Sequence, residues 1–171
     1  MQTRFDSRAP AARRTVTTLA ALFLSLAGAL AHAEVAVSDA WARATVPNQK
    51  AGGAFMTLKA STDTRLVAAD SPAAASTEIH EMKMEGNVMK MSPIEALELP
   101  AGKAVELRPG GYHLMLMQLA EPLAEGSTIA VSLTFEDADG KRSTMDVQVP
   151  VKPLTHGGAP GGKGHGHGHG H

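Results

Sequence analysis

From residue 35 to residue 149 the chain is a series of short apolar or alternating runs cut by turn residues. The runs cover 35–41, 52–59, 64–69, 76–84, 87–91, 104–107, 112–118, 128–135 and 143–149. Between them stand Pro47 with Asn48, Glu85 with Gly86, Pro100 with Gly102, the Pro109, Gly110, Gly111 triplet, Glu125 with Gly126, and residues 137–140. Such residues punctuate a chain because glycine tolerates positive φ and proline fixes φ and removes a donor. No window of useful length has the 3.6-residue period of an amphipathic helix. About eight or nine short strands with turn signals between them predict an all-β sandwich or barrel. Residues 135–142 join two alternating runs and read as the last hairpin.

Parity makes one part of the pattern specific. Side chains alternate faces along a strand, so His80, Met82 and Met84 share a face. With Gly86 and Asn87 as the central residues of a type II′ turn, Met84 faces Met89, Met82 faces Met91, and Lys83 faces Lys90 on the opposite surface. His80 then lies diagonal to Met91, with side-chain stems roughly 5–8 Å apart. A turn one residue longer would send Met91 to the wrong face. By the same period His113, Met115 and Met117 share one face, and Leu114 and Leu116 on the other look like core. His113 follows Arg108, Pro109, Gly110 and Gly111, which places it at the start of its strand and near one end of the sandwich.

The two ends of the chain differ from this middle. Residues 1–14 carry Arg4, Arg8, Arg13 and Arg14 against Asp6 alone; an apolar run over 19–31 and an Ala31-His32-Ala33 site follow. This is the pattern of a secretory signal peptide cleaved after about Ala33. The apolar run is shorter than the roughly 20 residues a membrane-spanning helix needs, so no span is expected in the mature chain. Arg13 and Arg14 leave twin-arginine export open, although the Thr-Val-Thr that follows fits that signal poorly. Residues 34–152 form one domain of a size sufficient for one core. Residues 153–171 contain no core-forming pattern and read as a flexible Gly/His-rich tail.

Without residues 1–33 the chain loses four of its 16 basic and one of its 17 acidic residues, which leaves a net charge of −4. It has no basic run and four aromatic residues, Trp41, Phe55, Tyr112 and Phe135, so nucleic acid is not the expected partner. There is no cysteine. An exported domain without disulfides must rely on its core, and thiolate metal sites and thiol redox catalysis are excluded. Soft-metal chemistry is left to histidine and methionine.

Six of the nine methionines lie between residues 80 and 117, together with His80 and His113. A methionine on a strand face ordinarily fills a core gap, and a histidine near a strand end ordinarily makes hydrogen bonds. One hairpin, however, carries Met82, Met84, Met89 and Met91 beside His80, more than packing requires. Imidazole with thioether is a soft-to-intermediate donor set, suited to Cu(I) and ill suited to Mg²⁺, Ca²⁺ or Mn²⁺. The candidate ligands are His80, Met91, His113 and Met115. Blue-copper electron transfer needs a thiolate ligand that is missing here, and no acid–base or nucleophile constellation accompanies the four residues, so an enzyme is not expected.

The spacing of these residues resembles the periplasmic PCu(A)C copper chaperones: His80, ten residues, Met91, twenty-one residues, His113, one residue, Met115. The segments 39–44 (DAWARA), 53–58 (GAFMTL) and 109–115 (PGGYHLM) resemble that family too, so that the likeness spans about residues 35–150. It implies a cupredoxin-like Greek-key β-sandwich that binds Cu(I) through those four residues. It also implies periplasmic delivery of copper to the binuclear site of cytochrome c oxidase, often alongside Sco-type proteins. Storage or resistance without a delivery partner is the alternative, because it needs the same site. Met82, Met84, Met89 and Met117 are not motif ligands and are assigned to packing or to an apolar rim. In the tail, His156, His165, His167, His169 and His171 alternate with glycine or nearly so, a composition that binds Cu²⁺, Ni²⁺ or Zn²⁺ and predicts capture of Cu(II) near the Cu(I) site.

Overall fold

The computed structural model describes residues 34–157. The sequence-predicted runs become β1 (Val35–Arg43), β2 (Ala51–Ala60), β3 (Thr64–Asp70), β4 (Ala74–Glu85), β5 (Val88–Pro93), β7 (Ala104–Leu107), β8 (His113–Leu119), β9 (Thr128–Asp137) and β10 (Arg142–Lys152). One further strand, β6 (Leu97–Leu99), has only three residues, too few for its alternation to stand out in the sequence. No helix occurs among the described residues.

Hydrogen bonding runs in the order β5-β4-β8-β2-β1-β10-β9-β3-β6, with β7 on β2, and a β3–β4 pairing joins the path back on itself. The layers of the sandwich are therefore continuous in one closed, barrel-like sheet. The all-β, cupredoxin-like expectation holds. Closure leaves few unpaired edges, which otherwise invite pairing with other chains. The first and last strands meet in parallel, Ala42 opposite Val151 and Arg43 opposite Lys152.

The inner face is aliphatic. Leu58, Leu66, Leu99, Leu114, Leu116, Val131, Leu133 and Val149 are fully buried and pack with Phe135 and Met56. Leu114 and Leu116 thus take the core places their parity predicts, and His113 and Met115, which alternate with them, lie on the opposite face of the strand. A bulge in β1 between Ser38 and Trp41, with Asp39 at φ 53°, resets that strand's parity. Trp41 consequently lies opposite Phe55 on the outer face, ring centroids 4.4 Å apart. Phe55 of this pair is one wall of the site described next, with Trp41 packed behind it.

Candidate metal site

The site begins with the turn between β4 and β5. Gly86 has φ +63° while Asn87 stays in the ordinary negative range, the dihedral pattern of a type II′ turn. Its register follows: Met84 opposite Met89, Lys83 opposite Lys90, Met82 opposite Met91, His80 opposite Pro93. One hairpin face is therefore thioether and imidazole. The other is charged, with a Lys83–Glu81 ion pair at 2.6 Å and a Lys90–Glu85 pair.

The second contribution comes from β8, which pairs with β4 so that His113 lies directly opposite His80 and Met115 opposite Glu78. The two imidazoles are 5.8 Å apart between ring centroids and both are buried. His113 Nδ1 lies 3.0 Å from the Gly111 carbonyl, which can only accept, so Nδ1 carries the proton. Nε2 keeps its lone pair, and Met91 Sδ stands 3.2 Å from it. Burial pushes the His113 imidazole below its ordinary value of 6.5; the Gly111 carbonyl opposes that shift and repulsion from His80 adds to it. The ring is held neutral, as a metal ligand must be.

His80 shows the same arrangement with its nitrogens exchanged. Its Nε2 lies 2.8 Å from the Glu78 carboxylate, which accepts, while Nδ1 is buried and has no hydrogen-bond partner. Leaving a buried acceptor unsatisfied costs on the order of 1–3 kcal/mol. That nitrogen has no partner within the chain and is open to a ligand from outside it, and a carboxylate behind the other nitrogen is the usual support of a metal-binding histidine.

Met82, Met91, His113 and Met115 together line an open cleft of about 330 Å³. His80 adjoins it through His113. Gly53, opposite Met115 on β2, supplies a floor without a side chain, and a Cβ there would come within 2.9 Å of the Phe55 ring. Phe55 is the far wall, its ring centroid 6.3 Å from that of His113. Arg43 lines the cleft with its guanidinium 5.7 Å from the Phe55 centroid and 5.8 Å from that of Trp41. Glu78 and Phe55 belong to the site although their residue types did not single them out. Glu78 could have been found by parity, since it stands two residues from His80 on the same face.

The four predicted residues are thus brought together. The tail histidines are not all visible: His156 packs edge-on against Trp41 at 4.6 Å, while His165, His167, His169 and His171 lie outside the described residues, as do residues 1–33, the predicted signal peptide. Leu154 lines the cleft, so the chain beyond β10 passes close to the site. No group of three or more His, Cys, Asp or Glu placed to hold a metal occurs among the described residues. The donor set here is imidazole with thioether, which suits a soft monovalent ion better than a hard divalent one.

The profile of the LpqE-like family, described as "Putative lipoprotein LpqE-like", matches residues 35–151. "Putative lipoprotein Lxx21020" of Leifsonia xyli subsp. xyli (strain CTCB07) is 35% identical over 149 residues, covering 80% of this chain and 87% of that protein. Among solved structures, CuI-DR1885 from Deinococcus radiodurans is similar with a TM-score of 0.52 and 32% identity, over 74% of this chain and 83% of that one. The copper-bound PCuAC domain from PmoF2 aligns with a TM-score of 0.54 over 71% of this chain and 98% of that domain; at 20% identity it speaks for the fold alone.

Proposed function

This chain belongs to the LpqE-like family, and we infer that it is an exported copper-binding protein of the PCu(A)C type, holding Cu(I) between His80, Met91, His113 and Met115 and passing it to a copper-receiving protein. The observation that carries the reading is the 3.2 Å approach of Met91 Sδ to the unprotonated Nε2 of His113. A thioether and an imidazole lone pair from separate strands gain little from each other, and both gain from a soft cation between them. The unpartnered Nδ1 of His80 and the Cu(I) complex of the relative from Deinococcus radiodurans support it.

The metal is cargo. Met91 is half exposed while both histidines are buried, so one ligand can be exchanged from outside while the others hold. That gradient suits hand-over better than catalysis, and the protein is read as a binding protein rather than an enzyme. The binuclear copper site of cytochrome c oxidase, reached directly or with a Sco-type protein, is the proposed destination, and the periplasm the proposed compartment. Residues 156–171 are proposed to capture Cu(II) and raise its local concentration near the Cu(I) site. Deleting them is expected to remove a Cu(II) equivalent and leave Cu(I) binding intact; unchanged Cu(II) stoichiometry would end that part of the reading.

The binding claim is tested with Met91→Leu and Met115→Leu under a competing Cu(I) chelator. Both are expected to lose affinity without unfolding, and full affinity in both would refute the assignment. Delivery separates from storage in a deletion strain: loss of oxidase activity supports delivery, copper sensitivity alone supports storage.

A further inference from the structure

Beyond the inner site, the outer half of the β4–β5 hairpin carries methionines with no structural duty. Met84 and Met89 are directly opposite each other, one step outward on the face that holds Met82 and Met91. They are 63% and 46% exposed, and all six residues of β5 are exposed, so these side chains fill no core gap. Paired positions on one face of an antiparallel ladder bring side-chain stems within about 4.5–5.5 Å, which flexible thioethers close easily. The charged residues of the hairpin pair with one another on the other face, Lys83 with Glu81 and Lys90 with Glu85, so no ammonium group competes for this surface.

We propose that Met84 and Met89, with Met82, form a second Cu(I) site, a thioether-only transfer station through which copper enters and leaves the inner site. Thioethers select Cu(I) over harder ions. Without an imidazole the outer site holds the ion more weakly than the inner one, as a station must. Met82 links the two, because it belongs to the outer methionine face and also lines the inner cleft beside Met91 and His113. Movement inward is ligand exchange: a bond from Met84 or Met89 is replaced by one from Met91 and then from the lone pair of His113. No electron or proton changes place, and the ion remains Cu(I) throughout. The inference rests on the copper reading of the inner site.

The test is an anaerobic Cu(I) titration of the full chain carrying ¹³C-methyl methionine, followed by NMR, with bicinchoninate as the competing ligand in a separate rate measurement. The first equivalent is expected to move the Met91 and Met115 methyl signals, and the second those of Met84 and Met89. In the Met84→Leu/Met89→Leu double variant, chosen to conserve volume, the response of the Met82 methyl signal to the second equivalent should vanish, and loss of copper to bicinchoninate should slow while inner-site affinity stays the same. Met84 and Met89 signals that do not move through two equivalents, or a double variant that releases copper at the parent rate, would overturn the proposal. A first equivalent that leaves Met91 and Met115 unmoved would instead overturn the inner site, and the Met84 and Met89 signals still report on the outer one.

Discussion

Met91 Sδ lies 3.2 Å from Nε2 of His113, although twenty-one residues separate them in the chain. One local and one long-range feature bring them together: the Gly86–Asn87 turn sets which face Met91 occupies, and the β4–β8 register sets His113 opposite His80. Both can be disturbed without touching a ligand.

Inserting one glycine between Gly86 and Asn87 should move Met91 to the charged face of the hairpin. Residues 83–91 of the hairpin are exposed and add nothing to the core, so thermal stability should change by no more than about 1 kcal/mol, the scale of a surface change. Cu(I) affinity under a competing chelator should fall sharply. Retained affinity would show that the turn does not aim Met91.

Glu78 accepts from His80 Nε2 and so fixes which nitrogen is left for a metal. Glu78→Gln preserves the shape and weakens the acceptor. Cu(I) affinity is expected to drop by about 10-fold or more, the range for the loss of such a support, with the fold unchanged. The measurement is a competition titration read beside a circular dichroism melt.

How much of this was legible follows from where each constraint lives. Strand parity is local, so the faces of β4, β5 and β8 and the core role of Leu114 and Leu116 could be read from single runs. The β3–β4 closure and the parallel β1–β10 pairing are tertiary and leave no mark in either strand's own pattern. The bulge at Asp39 reverses parity inside β1, so alternation across that run could not show that Trp41 joins Phe55 beside the site. The tail's composition likewise gave no sign that Leu154 and His156 lie against the barrel, because glycine-rich flanks hide isolated contacts.

His113 is held neutral by burial, which sets a pH dependence. Above its ordinary value of 6.5 the ring is neutral in both folded and unfolded chains and contributes nothing. As pH falls below 6.5 the unfolded chain takes up a proton that the folded chain still refuses, so the metal-free protein loses stability from this group. Cu(I) binding at His113 should resist acid further than binding to a free imidazole does. A titration of the His113 ring by NMR should give a midpoint below 6.5; a midpoint at or above it would contradict the argument.

Gly53→Ala probes the floor. The new Cβ would stand 2.9 Å from the Phe55 ring, so the ring must shift toward Trp41. The expected cost is about 1–3 kcal/mol, typical of overpacking, seen as a lower melting temperature. Because Gly53 is opposite Met115, Cu(I) affinity should fall as well. A variant with the parent melting temperature and affinity would mean that Phe55 does not wall the site.

The central claim is that two imidazoles and two thioethers hold one Cu(I). It is tested most directly by X-ray absorption at the copper edge on the full chain loaded with one equivalent of Cu(I), compared with Met91→Leu. Nitrogen and sulfur scatterers are expected in equal number in the parent protein, with one sulfur lost in the variant. A spectrum without sulfur, or one that Met91→Leu leaves unchanged, would contradict it.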